Sequence, residues 1–184
     1  ERAAERLKVV VPLTLAIIVL LLYLNFRNAR DVLLILGTLP FALVGGVWLL
    51  YLLDYDFSIA AVVGFIALAG VAAETGVVMV MYLEHAWKVR RDAAAQAGRQ
   101  PTRVELREAI VEGALLRLRP KLMTVITVIV GLLPIMWGTG TGSEVMRRIA
   151  APMVGGMVSA TILTLVIIPS LYLIIALRAV FPMD

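Results

Sequence analysis

The sequence predicts an all-α membrane protein, a bundle of five transmembrane helices with one cytoplasmic amphipathic helix. Three observations carry that prediction. Of the 184 residues, 61% are hydrophobic and only 16% charged, with a mean hydropathy of +0.97, which is too little charge for a soluble domain of this size. Apolar runs long enough to cross a bilayer recur along the chain. The runs are continuous rather than alternating and far exceed a barrel strand, so they read as helices.

The chain reads as a single transmembrane domain over 1–184, with spans at about 7–26, 32–53, 57–83, 121–138 and 145–177. The last is long, and its first turns are expected to project from the bilayer or to start as a bent segment. Lysine and arginine set the orientation. One side receives Arg27, Arg30, the nine from Lys88 to Lys121, and Arg178; the other receives Arg2, Arg6, Lys8, Arg147 and Arg148. The richer side is expected to be cytoplasmic, which puts the N-terminus outside and the C-terminus inside. The formal charge of +4 therefore reflects membrane topology, and no nucleic-acid partner is implied. The chain opens at Glu1 without an initiator Met, and no small-residue cleavage site follows the first apolar run. That run is read as a span rather than a removable signal, and the chain as the end of something longer.

The cytoplasmic connection 84–120 divides in two. Residues 88–100 read as a polar linker with a glycine break, and 101–120 as an amphipathic helix. Thr102 with Glu105 three residues on forms a capping-box pattern. Val104, Ile110, Val111, Ala114, Leu115 and Leu118 form a possible apolar stripe. A helix along the inner membrane surface and a solvated connector both fit this pattern. Small residues recur on the spans: Gly45 and Gly46, Ala60 with Gly64, Ala69 with Ala73, and Ala151, Gly155 and Ser159. Spacings of four put such residues on one face and let helices approach closely.

Chemistry-bearing positions are few. Cysteine is absent, which excludes disulfides, thiolate metal sites and thiol nucleophiles. His85, the one histidine, has no metal-motif company, and no nucleophile–base constellation supports an enzyme. Glu74 lies in an apolar stretch from Phe57 to Leu83 whose other ionisable side chain is Tyr82. An ionised carboxylate at that depth costs on the order of 2.5–3.5 kcal/mol even on lenient scales. Glu74 must therefore be neutral, paired or beside water, and intramembrane acids commonly mark proton or ion pathways. The competing reading is a permanently protonated structural glutamate. Lys121 opens the fourth span after Pro120. By residues alone it reads as an interfacial lysine snorkelling outward, since a pair with Glu74 requires it to sit deeper than Arg117 and Arg119. Met146, Met153 and Met157 share a helical face, and Met81 shares that of Glu74. Thioethers suit Cu(I) and Ag(I), but methionine is also an adaptable packing residue. The loop 137–142 alternates Gly and Thr and reads as a structural turn, with Ser143 as a cap and Arg147 and Arg148 as partners for Glu144 or a neighbouring domain.

The stretches LKVVVPLTLAIIVLLLYLNFR (7–27), GVAAETGVVMVMYLEHA (70–86), LRLRPKLMTVITVIVGLLPIMWGTGTGSEVMRRIAAPMVGGM (116–157) and IIPSLY (167–172) resemble the heavy-metal efflux subgroup of the resistance–nodulation–division superfamily, in its copper/silver branch. The resemblance covers nearly the whole chain and matches the C-terminal membrane part. It implies that Glu74 is a proton-relay glutamate and that Lys121, the lysine of the RPK motif, belongs to the same relay, which reverses the residue-only reading. A third relay member, an aspartate on an earlier span, lies outside this chain. The methionine of GSEVM, here Met146, corresponds to a metal-relay position; Met153 and Met157 gain no such role. Thr75 departs from the family, which more often has an aromatic there, and so does the 88–100 linker.

The implied function is a part of a proton-driven Cu(I)/Ag(I) efflux pump, a secondary transporter of the bacterial inner membrane with no tightly bound cofactor. The implied partners are two further copies in a homotrimer, a periplasmic adaptor and an outer-membrane channel, the last two reached through parts absent here. A divalent pump for zinc, cobalt or cadmium and a non-transporting membrane remnant are the alternatives. GVAAE and RPK argue against the divalent pump.

Overall fold

A computed structural model describes residues 2–180, without the side chains of 2–5 and 7. Five helices account for nearly all of it: α1 (Arg2–Phe26), α2 (Ala29–Leu52), α3 (Ile59–Gln96), α4 (Arg103–Trp137) and α5 (Ser143–Val180). Each is long and apolar enough to cross a membrane, and the chain forms the all-α bundle that its composition predicts. It is a multi-pass membrane protein.

Helix starts follow local chemistry. The Asn28 side chain accepts from Arg30 N–H at 3.2 Å to open α2, and Ser58 accepts from Ala61 N–H at 3.4 Å to open α3. The capping box before α4 is formed: Glu105 N–H donates to Thr102 Oγ1 at 3.2 Å and Thr102 N–H to Glu105 at 2.8 Å. Arg99 adds a bidentate grip on the same carboxylate at 2.6 and 3.0 Å. Within the helices, hydroxyls fold back on their own backbone. Thr38, Thr75, Thr161 and Thr164 each donate to a carbonyl one turn earlier, the option left to a hydroxyl where water is scarce.

The connector differs from expectation. Residues 88–96 continue α3 rather than forming a linker, and the polar turn shrinks to 97–102, closed by Gly98 at φ +68°. The amphipathic segment is helical, but it is the first half of α4, continuous through Pro120 with the fourth apolar stretch. It packs back on α3 through Leu106, Ala109, Ile110 and Gly113, with Gly113 against the Tyr82 carbonyl and Ala86. Of the anticipated stripe, Ile110 is buried, whereas Val104, Val111 and Leu115 point outward. This end of the molecule, where α1 turns into α2 and α3 into α4, is here termed the connector end.

α5 runs along α2, α3 and α4, and α1 leans mainly on α2. Small residues let α5 approach. A Cβ on Gly45 would collide with the Gly155 carbonyl and Ser159, and one on Gly64 with the Ile149 carbonyl. Ser159 Oγ also donates to the Ala42 carbonyl at 2.9 Å. On α3 the buried alanines are Ala61, Ala72 and Ala94; Ala60, Ala69 and Ala73 are only half-buried. A one-residue shift turns a helix face by about 100°.

Candidate functional site

Lys121 is buried, 5% exposed, in the middle of α4. The continuous helix carries it past the level of a snorkelling residue and aims it at α3. Its Nζ donates to Thr75 Oγ1 at 2.6 Å, and that hydroxyl donates in turn to the Val71 carbonyl at 2.7 Å. Thr75 is thus the residue that holds the buried ammonium.

Glu74 is adjacent to Thr75 but looks elsewhere. Its side chain is exposed on the outside of the five-helix bundle, on the face it shares with Gly70. Lys121 feels its charge, yet no ion pair within 4.0 Å joins them among the described residues. Arg117 is the nearby cation, with its guanidinium 5.1 Å from the Tyr82 ring centroid. The arrangement is therefore a buried ammonium on a hydroxyl tether, beside a carboxylate turned to a surface that the described helices do not cover. Chemically, a carboxylate that gains or loses a proton beside a fixed ammonium changes the local charge by one unit, which is what coupling to a proton gradient requires.

The methionines separate. Met146 is 52% exposed in the first turn of α5, whereas Met157 is 1% exposed and packs with Leu68 and Val125. Met153 is half-buried. Ile149 meets Gly64, ten residues before Glu74 in α3, and Met146 lies three residues further out on α5, so Met146 stands about 20 Å along the bundle from Glu74. The structure does not bring it to the acid–lysine pair. Ser143 is the first residue of α5, and Arg147 donates to the Gly138 carbonyl rather than pairing with Glu144. His85 is exposed. Sequence reasoning missed the part of Thr75, although a hydroxyl next to the intramembrane Glu74 was the available signal. It also passed over Asp31 and Glu84, which carry charge within a turn of otherwise apolar runs.

The chain is thus a bundle of membrane-long helices with a buried lysine tethered one residue from an intramembrane acid. Residues 1–176 match the model of the AcrB/AcrD/AcrF family, and the chain belongs to that family. It is 56% identical over 178 residues to SilA of Salmonella typhimurium, covering 97% of this chain and 17% of that protein. It is 56% identical over 172 residues to the cation efflux system protein CusA of Escherichia coli K12, covering 94% and 16%. A crystal structure of a heavy metal efflux pump superposes with a TM-score of 0.79 at 38% identity, over 96% of this chain and 16% of that one. The chain thus spans about a sixth of the length of the relatives it matches. It is a multi-pass inner-membrane protein.

Proposed function

We propose that the chain is the C-terminal membrane part of a proton-driven Cu(I)/Ag(I) efflux pump and supplies part of its proton relay through Glu74 and Lys121. The observation that carries this reading is the burial of Lys121 with its ammonium on Thr75, one residue from Glu74. A buried ammonium is costly and is retained where its charge is used. Protonation of Glu74 removes the negative charge that Lys121 feels, and the resulting shift of α3 against α4 couples proton entry to movement of the rest of the pump. The exposed carboxylate of Glu74 fits a relay completed by an acid from a segment outside this chain. Met146 is the candidate metal-relay methionine, exposed at the end of the bundle remote from the connector. In this reading the connector end is cytoplasmic, because the larger share of Lys and Arg lies there. The transported ions are Cu(I) and Ag(I), exchanged for protons. The assembly is a homotrimer working with a periplasmic adaptor and an outer-membrane channel.

The test uses the complete pump. Glu74→Gln is expected to abolish copper and silver resistance at unchanged membrane abundance. Lys121→Met is expected to cripple transport, and Lys121→Arg to keep part of it. Normal metal tolerance in both Glu74→Gln and Lys121→Met rejects the relay.

A further inference from the structure

A second pair of acids meets at the connector end. Asp31, in the first turn of α2, is 3% exposed. Its Oδ2 is sealed from solvent with no N–H or hydroxyl donor in reach. The Asp31 carboxyl lies close to that of Glu84 on α3 and to the Asn28 side chain. Tyr172 of α5, 8% exposed, belongs to the adjoining core and is near enough to feel the charge of both acids. Arg30 is the cation whose charge reaches Asp31, and Arg91 the one whose charge reaches Tyr172. No salt bridge reaches either acid among the described residues. Around them Val32, Ile35, Val80, Leu83, Trp87 and Ile168 form the apolar core that joins α2, α3 and α5.

An ionised carboxylate only accepts hydrogen bonds, so two of them in contact repel unless a proton lies between. The N-terminus of α2 and Arg30 favour negative charge on Asp31, which leaves the proton on Glu84, donating to Asp31. The orphaned acceptor and the adjacent carboxyl then explain each other. We propose that Asp31 and Glu84 bind one exchangeable proton between them, as a second protonation site on α3. It lies ten residues from Glu74, about 15 Å along the helix. Release transfers the proton from Glu84 to water and leaves two carboxylates whose repulsion loosens α2 from α3 at this end; uptake fastens them. The site stands on its own geometry and needs nothing from Glu74 or Lys121.

Infrared spectroscopy of the complete protein reads the proton directly, as a protonated-carboxyl C=O band that shifts in D2O. Wild type minus Glu84→Gln is expected to show that band at neutral pH. Its titration midpoint is expected to fall by about one pH unit or more, tenfold in proton affinity, in Asp31→Asn, where the carboxylate that shares the proton is gone. Gln and Asn keep size and hydrogen bonding, and unchanged far-ultraviolet circular dichroism checks the fold. Should Asp31→Asn not accumulate, Glu84→Asp, which shortens the reach, is titrated instead with the same downward shift expected. Absence of a difference band across the neutral range overturns the proposal. So does an unmoved midpoint in the partner-deleted variant, because Glu84 then holds its proton through burial alone.

Discussion

Thr75 shows how much one hydroxyl decides. Lys121 Nζ reaches it at 2.6 Å, and the lysine as a whole is 5% exposed. Thr75→Val keeps the shape and deletes the acceptor. A hydrogen bond involving a charged group is worth about 1.5–3 kcal/mol, so transport by the complete pump is expected to fall about tenfold or more. Thr75→Ser, which restores the acceptor, is expected to recover most of it. Equal transport by the Val and Ser variants in a metal-uptake assay on vesicles means that Lys121 is held by something else. Among the methionines the argument runs on sulfur. Leu reproduces the volume of Met without a soft donor and costs a core under about 1.5 kcal/mol. Met146→Leu is expected to lower Cu(I) and Ag(I) export at constant protein level. Met157→Leu, in its apolar packing with Leu68 and Val125, is expected to leave export unchanged. Export measured by silver tolerance that drops equally in both points to packing at both sites.

At the scale of the element, the α3–α4 turn is the best-determined piece. The Arg99 guanidinium, then the Thr102 N–H, hold the Glu105 carboxyl down at about 2, below its ordinary 4.5. A depressed carboxylate stabilises the fold above the unfolded value and loses that contribution as pH falls through the folded one. The cap is therefore complete at neutral pH and weakens progressively between 4.5 and about 2. Glu105→Gln is expected to speed amide hydrogen exchange over 97–105 at pH 7, with the gap to wild type narrowing as the medium is made more acidic than 4.5. A gap that does not change with pH removes charge from the explanation. This capping box was legible because Thr102 and Glu105 act locally, in a polar stretch. The five helices were legible for a similar reason: apolar length alone specifies them. Helix faces were not. In a membrane helix the lipid side is as apolar as the packed side, so hydrophobic periodicity carries little phase information. Val104, Val111 and Leu115 accordingly looked like the buried stripe while Ala109 and Gly113 were the contact. The 88–100 segment misled through composition, since its charged residues flank a helix continued by Ala93–Ala95 and capped only at Gly98. Lys121 could not be placed from residues alone because its depth depends on α4 running unbroken through Pro120.

For the whole molecule the telling feature is what the bundle leaves uncovered. Glu74 and Gly70 share an outward face of α3, and a Cβ on Gly70 meets nothing within 4 Å. A carboxylate presented to acyl chains costs several kcal/mol, so in the complete pump that face must be occupied by protein or water, as the relay reading requires. The lipid-facing control is Val166 on α5, which is 58% exposed and distant in sequence from the acid. A nitroxide on Gly70→Cys in the segment alone, reconstituted in bilayers, is expected to be as accessible to dissolved oxygen as one on Val166→Cys. In the complete protein the label at residue 70 is expected to lose that accessibility several-fold, while the label at 166 sets the lipid reference. If residue 70 stays as oxygen-accessible as residue 166 in the complete protein, Glu74 faces lipid, no partner acid can reach it, and the relay reading falls with it.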